Sequence, residues 1–182
     1  MWVAGCDRLH DTPAEIVTEL GETLRQTPLG VALTGDLTGY QGPERSLGYR
    51  WFTDPATRRR YHPDDHATLS RVFVSDLREA VARRGPASRA AHLVELLVDR
   101  DEEEFRELWD AHEVGVRPSE VKRFLHPELG TIALSCQSLV DPDQGHLLLV
   151  YTATPGTESY DKLQLPSVIG THTVGQDHAV LD

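Results

Sequence analysis

A chain of 182 residues is long enough to bury a hydrophobic core of its own as one compact domain. Its apolar and glycine content lies near the globular average, which excludes global disorder, and no apolar run reaches the ~20 residues that cross a bilayer. A formal net charge of -11 repels a phosphate backbone, so direct nucleic-acid binding by this chain is not expected. Met1 to Asp7 lack both a basic start and a long apolar stretch, unlike a signal peptide. The two cysteines, Cys6 and Cys136, form no disulfide framework and suit a reducing, cytoplasmic setting. Arginine far outnumbers lysine, as in proteins of high-GC genomes.

Two short extended runs, 14–18 and 23–27, flank Leu20-Gly21-Glu22, a turn in which glycine tolerates positive φ. Pro28 opens a short helix at its first position, through Val31-Ala32-Leu33. Gly35-Asp36 and 39–43 read as loop. Pro43-Glu44-Arg45 opens a second helix with Leu47 and Trp51 four apart on one face and Phe52 beside them. Asp54-Pro55 ends it, because the residue before proline avoids helical dihedrals. The longest helix is predicted over 64–84, where Leu69, Val72, Phe73, Leu77, Ala80 and Val81 recur at helical spacing and Gly85-Pro86 stops them. A further helix covers 88–98, with Ala90, Leu93, Val94 and Leu97 on its apolar face. The next covers 102–111, where Phe105, Leu108, Trp109 and His112 follow helical spacing and Asp101 is the N-cap, with Glu104 three residues on.

The pattern then turns extended. Short runs at 114–117 and 121–126 lead to a turn at His126-Pro127-Glu128-Leu129-Gly130. A strand over 131–139 alternates Ile132, Leu134 and Cys136 on one face. Asp141-Pro142-Asp143-Gln144-Gly145 is a second turn, and the continuously apolar 147–151 belongs in the sheet centre. A last helix starts near Thr157 and stops before Pro166, and the tail beyond Thr171 frays. The division is a lead-in 1–8, a domain 9–171 and a tail 172–182. Two strands, several helices and about three more strands give an α+β fold: a PAS-like antiparallel sheet with a helical insert covering one face.

Five stretches stand in a specific order and spacing. They are Asp11-Thr12-Pro13-Ala14, Arg50-Trp51-Phe52-Thr53-Asp54-Pro55-Ala56, and Phe105 through Leu108-Trp109 to His112-Glu113-Val114. Lys122-Arg123 with 126–130 follows, then Val150-Tyr151-Thr152-Ala153 before Pro155-Gly156. Together they resemble the ligand-binding half of MmyB-like bacterial transcription regulators, from about Leu9 to Thr171. The resemblance implies a PAS-like fold, an N-terminal helix-turn-helix of the XRE type and a hydrophobic pocket whose ligand class is fatty acids. Such regulators are most numerous in actinobacteria, in keeping with the arginine excess. The helix-turn-helix is missing here, so DNA contact is assigned to no residue of this chain. Pro166 interrupts a helix that similar proteins continue, so a shorter last helix is expected.

If the helices stand off the sheet, Leu47, Trp51, Phe73, Leu77, Leu97, Leu108 and Trp109 line a cavity; if they pack tightly, the same residues are ordinary core. A ligand carboxylate needs a cation or a backbone donor. Arg50 beside Trp51 is the first candidate because guanidinium pairs bidentately with carboxylate, and Arg117 and Arg123 are its rivals. Each can equally be a surface arginine with a buried stem. His62 and His66, four apart, lack an obvious third metal ligand and read as capping residues. No Gly-x-Ser-x-Gly, Cys–His pair or phosphate-cradling glycine loop appears, so no enzyme, cofactor or metal is expected. Cys136 reads as a small buried hydrophobe, the acidic run 99–104 as a helix start, and the arginine runs 58–60 and 83–84 as solvated surface. The leading reading is a sensor of a small fatty-acid-like ligand, with a homodimer as one arrangement. The alternative is a ligand-free PAS-like dimerisation module, which a tight core would favour.

Overall fold

Glycines, prolines and small capping side chains cut the chain into its elements. The structure is a computed structural model that describes residues 9, 11–100, 102–141 and 144–173, with side chains through residue 165. Strands β1 (Ala14–Val17) and β2 (Thr23–Gln26) form a hairpin whose turn holds Gly21 at φ 68°. Helix α1 (Pro28–Thr34) begins at Thr27, whose hydroxyl accepts from the Gly30 N–H at 3.1 Å, and ends at Gly35.

The second helix departs from expectation at both ends. Gly42–Arg45 is a separate 3-10 turn, and Ser46 restarts the chain as α2 (Leu47–Thr53). The Ser46 hydroxyl accepts from the Tyr49 N–H at 3.3 Å and donates to the Leu20 carbonyl at 2.7 Å. Asp54 stops α2 as expected, yet it also starts one more helical turn. Its carboxylate accepts from the Ala56 N–H at 2.9 Å and caps α3 (Pro55–Arg58), with proline at the first helical position.

After a 3-10 turn at Pro63–Asp65, α4 (His66–Arg84) runs to Gly85. Ser88 caps α5 (Arg89–Asp99) by accepting from the Ala91 N–H at 3.2 Å. Helix α6 (Glu103–Asp110) follows, with Glu102 at its N-cap position making no side-chain cap bond; the proposed cap Asp101 lies outside the described residues. Two expectations fail beyond α6. His112 sits at φ 53°, past the helix end and off its apolar face. The run 114–117 is not a strand: Gly115 at φ 68° breaks it, and the Val116 N–H bonds to the Ser75 hydroxyl at 3.2 Å rather than to a neighbouring strand.

Strands β3 (Val121–His126), β4 (Gly130–Val140) and β5 (Leu147–Thr152) close the sheet. Of the 141–145 turn, Gly145 N–H bonds the Asp141 carbonyl at 2.9 Å, while Pro142 and Asp143 lie outside the described residues. Helix α7 (Glu158–Thr173) corrects the expected stop, because Pro166 lies inside it. A proline in a helix forfeits one backbone hydrogen bond and crowds the preceding turn without having to end the helix. The first turns of α7 are held independently: the Ser159 hydroxyl accepts from the Ala133 N–H at 2.9 Å, and Leu163 is buried. The lead-in 1–8 and residues 174–182 lie outside the described residues.

The five strands form one antiparallel sheet in the order β2-β1-β5-β4-β3, so the apolar β5 is central, as its composition predicts. Cross-strand partners share a face. Glu15, Leu149 and Ser138 thus lie on one face with Tyr151, Leu134 and Phe124. Helices α2, α4, α5 and α6 pack over that face, and the main core unites Trp51, Leu93 and Phe105 with Phe124, Ile132 and Tyr151. On the opposite face Leu9, Ala14, Ile16, Leu148 and Val150 make a smaller cluster.

Candidate functional site

The helical insert stands on two piers. At one end aromatic rings fill the space between helices and sheet. Trp51 is fully buried, with ring centroids of Tyr61, His66 and Phe73 at 5.6, 5.2 and 5.3 Å, and Phe124 joins Tyr61 to Tyr151 at 5.4 Å each. At the other end the β1–β2 turn holds the helices by polar contacts. Gly21 carbonyl accepts from the Leu47 N–H at 3.0 Å, Glu22 pairs with Arg89 at 2.5 Å, and Glu19 pairs with Arg84 at 2.7 Å and Arg83 at 3.2 Å.

Between the piers lies a cavity of about 400 Å³, within the range of small-molecule sites. Its roof is Leu47 of α2, Phe73 and Leu77 of α4, and Leu93 and Leu97 of α5; its floor is Val17, Leu147, Leu149 and Tyr151 of the sheet. Small residues keep the space open. Gly48 carries no side chain where a Cβ would already touch Phe73 at 3.5 Å, so α2 and α4 approach closely without filling the gap.

Two polar groupings interrupt the apolar wall. On the floor, Glu15 is buried and accepts from the Tyr151 hydroxyl at 2.6 Å and the Thr23 hydroxyl at 3.3 Å. Burial, and then the Glu15 charge, pushes the Tyr151 and Tyr61 phenols well above their ordinary range, so both remain neutral. At the rim, Asp76 of α4, Lys122 of β3 and Arg117 of the connection from α6 line the same cavity. Burial first, then the Glu79 charge, pushes the Asp76 carboxyl up to about 6, against the pull of Lys122 and Arg117. By accessible surface Asp76 is nonetheless an exposed residue that lines the cavity, so burial acts on it only in part.

Among the residues singled out from sequence, Leu47, Phe73, Leu77 and Leu97 line the cavity together. Trp51, Leu108, Trp109 and Arg50 lie elsewhere. Trp51 is in the aromatic pier, where its indole N–H donates to the Ser70 hydroxyl at 2.8 Å. Leu108 and Trp109 pack from α6 against the core, and Trp109 stacks on Phe105 at 5.7 Å. Arg50 is buried, donates to the Glu44 carbonyl and to the Arg45 carbonyl at 3.1 Å, and lies over the Tyr40 ring at 3.9 Å. Of its two rivals, Arg123 is paired with Asp65 at 2.5 Å and Asp64 at 3.4 Å, while Arg117 reaches the cavity rim. The arginine runs also have partners: Arg58 pairs with Glu104 at 2.6 Å and Arg60 donates to the Thr34 carbonyl at 2.5 Å.

Sequence reasoning gave no site role to Glu15, Asp76, Lys122 or Tyr151, although Lys122 and Tyr151 stand in the stretches that carry the resemblance. For Glu15 a signal was present, since it breaks an apolar run (Ala14, Ile16, Val17) on the face that Val17 turns inward. His62 and His66 serve different ends. His62 accepts from the Asp64 N–H at 3.4 Å, whereas His66 meets the Arg58 and Tyr61 carbonyls at 3.0 Å each. Among the described residues no group of three or more His, Cys, Asp or Glu side chains is placed to hold a metal ion. No helix among them is long and apolar enough to cross a membrane.

The family of MmyB-like transcription regulator ligand binding domains matches residues 6–165, a span that contains the whole sheet, the helical insert and the cavity. The chain belongs to this family. No curated protein gives a significant match. The residues matched include every residue that lines the cavity between insert and sheet.

Proposed function

We propose that this MmyB-like domain senses a fatty-acid-like molecule inside the cavity and serves as a binding module rather than an enzyme. The observation that carries the reading is the cavity itself: about 400 Å³ walled by aliphatic and aromatic side chains, with Lys122 and Arg117 beside Asp76 at one rim. The hydrocarbon would lie against Leu47, Phe73, Leu77 and Leu97, gaining about 0.8 kcal/mol per buried methylene. The carboxylate would meet Lys122 and Arg117, the two cations that line the cavity. The strand order and the helical insert agree with a PAS-like domain. A ligand-free dimerisation module needs no such space, so the cavity favours the sensor.

Sensing requires that the ligand prefer one conformation of the insert, since equal affinity for two states shifts neither. The turn that holds the insert by the Glu19 and Glu22 ion pairs also lines the cavity, so a ligand pressing there would act on those contacts. An attached DNA-binding domain or a second copy in a homodimer would read the shift, in the cytoplasm. Native mass spectrometry of the purified protein, followed by extraction of what denaturation releases, tests the reading. The expected result is a medium- or long-chain acid at close to one per chain. An unliganded mass that stays unchanged after adding such acids would move the function to dimerisation.

A further inference from the structure

A plain hydrocarbon site has no use for a buried acidic side chain. Glu15 is 7% exposed, points from β1 into the cavity floor and touches neutral hydroxyls, Tyr151 on one oxygen and Thr23 on the other. Burying an acid beside an apolar wall costs free energy that an aliphatic residue at the same position would avoid. Sheet geometry does not require it, because β1 pairs with β2 and β5 through its backbone. A carboxylate accepts about four hydrogen bonds, and the described side chains supply two. Capacity therefore remains on a group that faces the ligand space.

We propose that Glu15 forms a second polar subsite, which takes the hydroxyl of a hydroxylated carboxylic acid. The proposal rests on the reading of the cavity as an amphipathic-acid site and narrows its ligand class. The Tyr151 ring lies between the two polar ends. Lys122 Nζ is 5.7 Å from the ring centroid, and the phenol oxygen is 2.6 Å from Glu15. A ligand anchored at Lys122 and Arg117 by its carboxylate runs its hydrocarbon along that ring and brings a distal hydroxyl to Glu15. The hydroxyl donates to the Glu15 carboxyl, while Thr23 and Tyr151 keep the carboxyl oriented. An ammonium group in the same place is disfavoured, because its own desolvation is far larger than that of a hydroxyl. An unsubstituted chain strips solvent from Glu15 and returns no hydrogen bond, so it binds less well.

The test is isothermal titration of decanoic acid and of ω-hydroxydecanoic acid into the full chain, as wild type, Glu15→Gln and Glu15→Leu. Wild type is expected to prefer the hydroxylated acid by roughly tenfold, the value of one hydrogen bond to a charged group. Glu15→Leu should lose that preference and bind decanoic acid at least as tightly as wild type does. Glu15→Gln keeps the size and an acceptor oxygen, so its preference should shrink several-fold even if the leucine variant does not fold. Equal affinities in wild type, or an unchanged preference in Glu15→Gln, would overturn the Glu15 subsite while leaving the acid-binding cavity standing. Failure of wild type to bind either acid would overturn the cavity reading and the subsite with it.

Discussion

The two ends of the helical insert are built from the same elements and behave in opposite ways. Around Trp51, the rings of Tyr61, Phe73, Phe124 and Tyr151 pack edge to face or tilted at centroid distances of 5.3 to 5.6 Å and fill the space beside the indole. Around Leu47 and Leu77, slimmer aliphatic chains, Gly48 and the Gly21 turn leave about 400 Å³ between helix and sheet. Helix α2 spans both regions: its first residue, Leu47, lines the cavity and its fifth, Trp51, sits in the solid core. Helical periodicity puts both on inward-facing positions, and side-chain volume decides which becomes core and which becomes wall. The aromatic end is packed solid, while the other end keeps its space.

The largest effect is expected at Trp51. Trp51→Ala removes the ring on which the solid pier closes and leaves Ser70 without the indole donor, so a loss of about 3–5 kcal/mol is expected. Urea unfolding measures it; a loss below about 1 kcal/mol would mean that the aromatic end is not the stabilising one.

A smaller effect separates the regions by enlargement. Ala80 is fully buried and off the cavity, so Ala80→Leu should cost about 1–3 kcal/mol through overpacking. Leu77→Trp also enlarges a side chain on the same helix but directs the added ring into the cavity, and its stability should stay within about 1 kcal/mol of wild type. Thermal melts of the two variants side by side check the contrast, and an equal loss in both would mean that the cavity is not open to side chains.

The smallest effect is electrostatic. Burial pushes the Asp76 carboxyl up to about 6 from an ordinary 3.8, so the native state holds its proton more tightly than the unfolded chain does. Stability then falls as pH rises from about 4 to 6, and Asp76→Asn should be more stable than wild type above that window and no different below it. The gain should remain under about 1 kcal/mol, because the side chain keeps solvent contact. Melting curves at pH 4 and pH 7.5 test the sign, and a gain confined to the acidic side would contradict it.

Much of the fold was legible in the sequence. Turn glycines, the helical spacing of 64–84 and the apolar β5 gave the element order and placed β5 at the sheet centre. The failures were local. Ser46 and Asp54 cap helices in ways that depend on partners distant in the chain or on a proline serving as a start rather than a stop. Gly115 ended an expected strand, and Pro166 did not end an expected helix. The site was legible by half. Inward apolar positions such as Leu47 and Leu77 follow from periodicity, but volume balance separates them from Trp51, and no single segment contains that balance. Lys122, Asp76 and Glu15 converge from β3, α4 and β1, which only the folded sheet brings to one space.

If the hollow end is the proposed ligand site, filling it must block binding. Decanoic acid is titrated into wild type and into Leu77→Trp, with the melting temperature of each recorded. Saturable binding near one per chain is expected in wild type, and at least roughly tenfold weaker binding in the filled variant, because the added ring occupies space the acyl chain would use. Equal affinity in two equally stable proteins would place the acid elsewhere and contradict the cavity as the sensing site.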